Sequence, residues 1–92
     1  MTEPLKPDEA KRLIPRILET GSVSVSHHAE TEMAKDSLTT VDCLNVLRSG
    51  VVEPAEYEHD TWRYRVRARQ LYVVVAFRSE QRLVIITAWR SQ

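Results

Sequence analysis

Arg63, Arg65 and Arg67 stand at alternate positions of the stretch Thr61-Trp-Arg-Tyr-Arg-Val-Arg-Ala68. Side chains in a strand change face at every residue, so the three guanidiniums share one face. Trp62, Tyr64, Val66 and Ala68 share the other. Arginine offers a planar fork of donors that suits phosphate or carboxylate, which makes this row an anion track. The same side chains have a structural use on a solvated face, as partners of Glu53, Glu56 and Glu58 on a neighbouring strand.

A second candidate is the pair His27-His28. Near a helix N-terminus the helix dipole disfavours added positive charge, which favours the neutral imidazole. A neutral imidazole can accept a proton from a hydroxyl, and Glu32, four residues after His28, can orient it. The commoner use of such a pair is as plain surface residues. His59 has no evident partner. No zinc-motif spacing occurs, so neither a metal nor a cofactor is expected. Cys43 lies close to Leu44 and Leu47 and reads as a small core residue. Two glycines, Gly21 and Gly50, cannot make a glycine-rich phosphate loop.

These residues must be positioned by the elements around them. Residues 1–7 contain two prolines and predict a loose lead-in. Asp8 is a candidate N-cap, followed at helical spacing by Leu13, Ile14, Ile17 and Leu18, with Gly21 as the stop. Pro15 predicts a kink or a later start. Ser22 to Ser26 predicts a short edge strand, after which Ser26 caps a helix holding Ala29 and Met33. Thr39 and Asp42 form a capping box for a third helix, buried through Val41, Leu44 and Leu47 and ended by Gly50. Val51-Val52 before Pro54 is a short edge strand. Glu56 to Asp60 is an acidic hairpin region. Leu71 to Phe77 and Leu83 to Trp89 are apolar runs of buried strands.

The expected fold is therefore α+β. N-terminal helices pack on one face of a mainly antiparallel four- to five-stranded sheet, in a single domain over residues 1–92. A two-residue turn at Arg69-Gln70 pairs Ala68 with Leu71, Val66 with Val73 and Tyr64 with Val75. Pairing Phe77 with Leu83 then sets Val75 against Ile85 and Leu71 against Trp89. In this register the helices cover Trp62, Tyr64, Val66, Val73, Val75, Phe77, Ile85 and Trp89. The open face holds Arg63, Arg65, Arg67, Tyr72, Val74, Ile86 and Arg90, an apolar floor with basic walls. A slip of one residue in either turn reverses part of this assignment.

The net charge of zero hides a division. Residues 1–60 hold six Lys/Arg against twelve Asp/Glu, and residues 61–92 hold seven arginines against Glu80 alone. A neutral total argues against a purely electrostatic nucleic-acid binder, but allows a local anion site. No apolar run approaches a membrane span, and no apolar leader is present. With a lone cysteine, these features predict a cytoplasmic protein.

Several segments carry a resemblance. They are Ser26-His-His-Ala-Glu-Thr-Glu-Met33, Leu38-Thr-Thr-Val-Asp-Cys-Leu-Asn-Val-Leu47 with Gly50, Trp62-Arg-Tyr-Arg-Val66, the valine strand, and Ile85-Ile-Thr-Ala-Trp-Arg90. Together they resemble a group of small bacterial domains of unknown function, similar to RelE-like toxins of the barnase–EndoU–colicin–RelE ribonuclease fold. His28-Ala29, Arg63-Tyr64 and Thr87 match that pattern. Glu30 and Glu32 stand where basic residues are expected. The resemblance implies a RelE-like fold and a metal-independent ribonuclease, which attacks a phosphate with the adjacent 2′-hydroxyl. It implies RNA and a helix-turn-helix antitoxin as partners. In that scheme His28, Arg63 and Arg65 are catalytic, and Arg67, Tyr72, Thr87 and Arg90 bind substrate. The other reading on the same fold is a non-catalytic module whose arginine face takes an acidic protein or nucleic acid. An exposed edge strand leaves pairing of two copies open.

Overall fold

The structure is a computed structural model describing residues 1–92. Helix α1 spans Pro7–Thr20, strand β1 Ser22–Val25, α2 His27–Lys35 and α3 Thr40–Ser49. Strands β2 (Val51–Val52), β3 (Glu56–Glu58), β4 (Thr61–Ala68), β5 (Leu71–Ser79) and β6 (Arg82–Arg90) follow. The α+β expectation holds. The sheet has six strands in the order β1-β6-β5-β4-β2, with β3 pairing onto β4. All pairs are antiparallel except β1 with β6.

The helices begin and end for local reasons. The N-cap of α1 is Lys6 rather than Asp8; Pro7 opens the helix, and the Lys6 N–H donates to the Glu9 carboxylate at 2.9 Å. Proline suits a first position because its missing N–H would be unpaired there anyway. The helix runs through Pro15, so the start precedes that residue by two turns. Gly21 ends it where the chain passes close to β6: a Cβ there would lie 2.2 Å from the Gln81 carbonyl oxygen. Ser26 caps α2 as expected, its Oγ accepting from the Ala29 N–H at 3.0 Å. The Thr39–Asp42 capping box forms at α3. The buried stripe of α3 is Cys43, Val46 and Leu47, while Val41 is exposed. The expected stripe holds at Leu47 and fails at Val41, which is exposed; Val46 is buried instead, beside Cys43, which is buried as expected.

Helices and sheet enclose one core, led by Tyr64, Ile14, Ile17, Leu47, Leu83 and Ile85. The Tyr64 hydroxyl is its single polar insertion from β4. It donates to Glu3 and accepts from the Leu5 N–H, both at 2.9 Å. Residues expected as a loose lead-in are thus fastened to the centre of the sheet.

The register of β4 and β5 is the expected one, from Tyr64 opposite Val75 to Ala68 opposite Leu71. That of β5 and β6 starts as expected, with Phe77 opposite Leu83 and Val75 opposite Ile85, then shifts. Val74 lies opposite Thr87, so Ile86 is an extra residue in β6, a β-bulge. Beyond it every side chain of β6 changes face relative to a regular ladder. Tyr72 therefore faces Trp89, and Leu71 faces Arg90. The expected placement of Trp89 under the helices and of Arg90 on the open face is overturned. Ala88, fully buried, occupies the core position instead.

Candidate functional site

The bulge assembles the open face of the sheet. Two cross-strand rows result: Arg65, Val74 and Thr87, and next to it Arg67, Tyr72 and Trp89. The expected register, with Ile85 and Trp89 beneath the helices, puts Thr87 between them on that same face, while the resemblance puts it in the site; the structure sets it in line with Arg65. A groove of about 170 Å³ lies here, lined by Glu56, Glu58, Arg63, Arg65, Val74, Thr87 and Trp89. Val74 forms the apolar floor, as the sequence suggests. Tyr72 and Trp89 stack beside it in near-parallel planes, 6° apart, with centroids at 5.1 Å.

The charges of the groove are largely matched. Glu53 bridges two arginines: its Oε2 accepts from Arg67 Nε at 3.0 Å, and its Oε1 accepts from Arg65 Nε. Those bonds, Arg65 first, hold the Glu53 carboxyl below the usual carboxylate range, and the same contact raises Arg65. Arg65 also approaches Glu56 at 3.9 Å. The structural use of the row is thus real for Arg65 and Arg67. Arg63 differs. It makes one weak contact, from Nη2 to His59 Nδ1 at 3.4 Å, and its Nε is buried without a hydrogen-bond partner. A buried donor lacking an acceptor is uncommon.

Hairpin β3–β4 brings the carboxylates to the groove. Glu56 lies opposite Arg63 and Glu58 opposite Thr61. The connecting residues His59 and Asp60 both have positive φ, 51° and 61°, as a tight two-residue hairpin turn requires. This turn sets His59 beside Arg63, a relationship with no sign in the sequence beyond the two-residue spacing of the hairpin.

Four expected residues do not line the groove: Arg67 and Tyr72 stand in the neighbouring row, and His28 and Arg90 lie elsewhere. His28 is exposed on the first turn of α2 and makes no hydrogen bond with Arg63, Arg65 or Arg67. Glu32, expected to orient it, instead pairs with Lys35 at 2.7 Å. Arg90 has moved to the helix side, where its N–H donates to Asp36 at 2.7 Å and its charge helps lower the Asp42 carboxyl, already lowered by hydrogen bonds from Thr39. Conversely, Trp89 and Glu58 belong to the groove without having been singled out as site residues. Alternation carried through Ile86 hides Trp89.

No helix is long and apolar enough to cross a membrane. A family model described as Domain of unknown function (DUF4258) matches residues 25–90. The chain belongs to this family. No curated protein and no solved structure matches it.

Proposed function

We propose that this chain is a metal-independent ribonuclease of RelE-like kind, acting on single-stranded RNA in the groove of β4, β5 and β6. The observation that carries the reading is the convergence of Arg63, Arg65, Thr87 and Trp89 on one groove. Arg63 and Arg65 supply charge-assisted donors for one phosphodiester and for the charge that develops on it during 2′-hydroxyl attack. Thr87 adds a hydroxyl. The Tyr72–Trp89 pair lies one row along, about 7 Å away by strand rise, beside Arg67. Aromatic surfaces next to a cationic groove are a common means of holding unpaired bases. A helix-turn-helix antitoxin is the expected protein partner on this reading, and an acidic antitoxin segment would occupy the same arginine face.

A second reading has one observation in its favour. Glu53 already satisfies Arg65 and Arg67, as a non-catalytic module with a polar sheet face would have it. The two separate in one experiment: induced expression in a bacterial host of wild type beside an Arg63→Ala, Arg65→Ala double variant, with RNA ends mapped during arrest. Growth arrest with new RNA ends in the wild type alone is expected. Soluble, folded wild-type protein with no arrest and no new ends would move the assignment to the binding module.

A further inference from the structure

We infer that Glu56, rather than His28, is the general base of this groove, an assignment that rests on the ribonuclease reading. A 2′-hydroxyl attacking a phosphate held by Arg63 and Arg65 must lose its proton to a group within the same groove. His28 does not line it. Glu53 is engaged by both Arg65 and Arg67. Glu58 stands further toward the hairpin tip, opposite Thr61. Glu56 lies opposite Arg63 and 3.9 Å from Arg65 Nη2, a separation too long for a hydrogen bond. Its side chain is 59% exposed, and its lone pairs have no close donor. It is thus held at the groove by charge while its oxygens stay free to accept.

The step balances as follows. The Glu56 carboxylate takes the 2′-hydroxyl proton while O2′ forms a bond to phosphorus. The bond from phosphorus to the 5′-oxygen breaks, and that oxygen takes a proton from water at the open mouth of the groove. The products are a 2′,3′-cyclic phosphate and a 5′-hydroxyl end. Glu56 then returns its proton to the hydroxide left behind. Arg63 and Arg65 stay on the non-bridging oxygens, and Arg65 keeps Glu56 beside the reacting atoms.

The test uses the purified protein and a fluorescent single-stranded oligoribonucleotide, with and without translating ribosomes. Glu56→Gln is expected to lower the cleavage rate ~10²–10⁴-fold and to leave RNA affinity unchanged or stronger. His28→Gln is expected to cleave as wild type does. Glu56→Gln cleaving at the wild-type rate, while Arg63→Ala with Arg65→Ala does not cleave, would overturn the base assignment and leave the ribonuclease reading standing. A wild-type protein that leaves the RNA intact in both settings would overturn both.

Discussion

Ser26 Oγ donates a hydrogen bond of 3.0 Å to the carbonyl of Ile86, 60 residues along the chain. The same oxygen accepts from the Ala29 N–H, and the Ser26 N–H donates to the Ile85 carbonyl. One serine therefore starts α2, ends the pairing of β1 with β6, and bonds the carbonyl of the bulge residue Ile86. An unpaired buried carbonyl would be costly, so this contact helps the bulge exist where it does. The bulge in turn decides which residues the groove contains.

Ser26→Ala should destabilise the protein by about 1–3 kcal/mol, more than an ordinary cap, because a helix cap and a second hydrogen bond go together. Urea unfolding followed by circular dichroism measures it. A midpoint within error of wild type would show that water replaces both bonds and that the bulge stands without Ser26.

Trp89→Ala tests the register directly. A tryptophan buried under the helices would cost about 3–5 kcal/mol on truncation. On the open face, half-buried against Tyr72, its loss is expected to cost under about 2 kcal/mol, including a stacking share of about 0.5–1.5 kcal/mol. Binding to single-stranded RNA should weaken at the same time. A core-sized loss of stability would restore the unbulged register.

Glu53→Gln removes the carboxylate that neutralises Arg65 and Arg67. If the face binds RNA, affinity should rise at low salt. The slope of log affinity against log salt should steepen by about 0.7 for each arginine that gains a phosphate. Fluorescence anisotropy over a salt series reads both. Weaker binding would mean that Glu53 positions the arginines more than it screens them. The variant should also lose part of the acid dependence of stability. The wild-type carboxyl is held below its ordinary value of 4.5, so its contribution is present above that pH and fades as pH falls through the folded value.

Alkaline stability should fall in two overlapping steps. Burial pushes the Cys43 thiol from 9.0 up to about 11, and burial first, with the Glu3 carboxylate adding to it, pushes the Tyr64 hydroxyl from 10.0 up to about 12. Both groups hold their protons more tightly when folded. Their contribution is complete below about pH 9 and declines as pH climbs toward 12. Cys43→Ala with Tyr64→Phe should flatten that decline in a thermal unfolding series, while lowering stability at neutral pH, because the Leu5 N–H loses its acceptor. An unchanged alkaline slope would assign it to other groups. The native thiol should also resist alkylation, being 1% exposed.

Much of this protein is determined within short windows of its sequence. The alternation of Arg63, Arg65 and Arg67, the turn at Arg69-Gln70 and the caps at Ser26 and Thr39 all rest on contacts within a few residues. Side-chain chemistry and backbone period suffice for those. The tertiary structure alone decided the second half of β6. Leu83-Val-Ile-Ile-Thr87 is apolar on both faces up to Thr87, so no alternation marks the extra residue at Ile86. A regular ladder and a bulged one bury the same side chains only as far as Ile85 and differ beyond it. What separates them is a hydrogen bond from Ser26, far away in sequence, and the fit of Ala88 rather than Trp89 beneath the helices. That one-residue difference carries Thr87 and Trp89 to the arginine face and takes Arg90 from it. His28 parts from the groove for a similar reason: helical spacing tells which residues lie near it on α2, but not which face of the sheet that helix will serve.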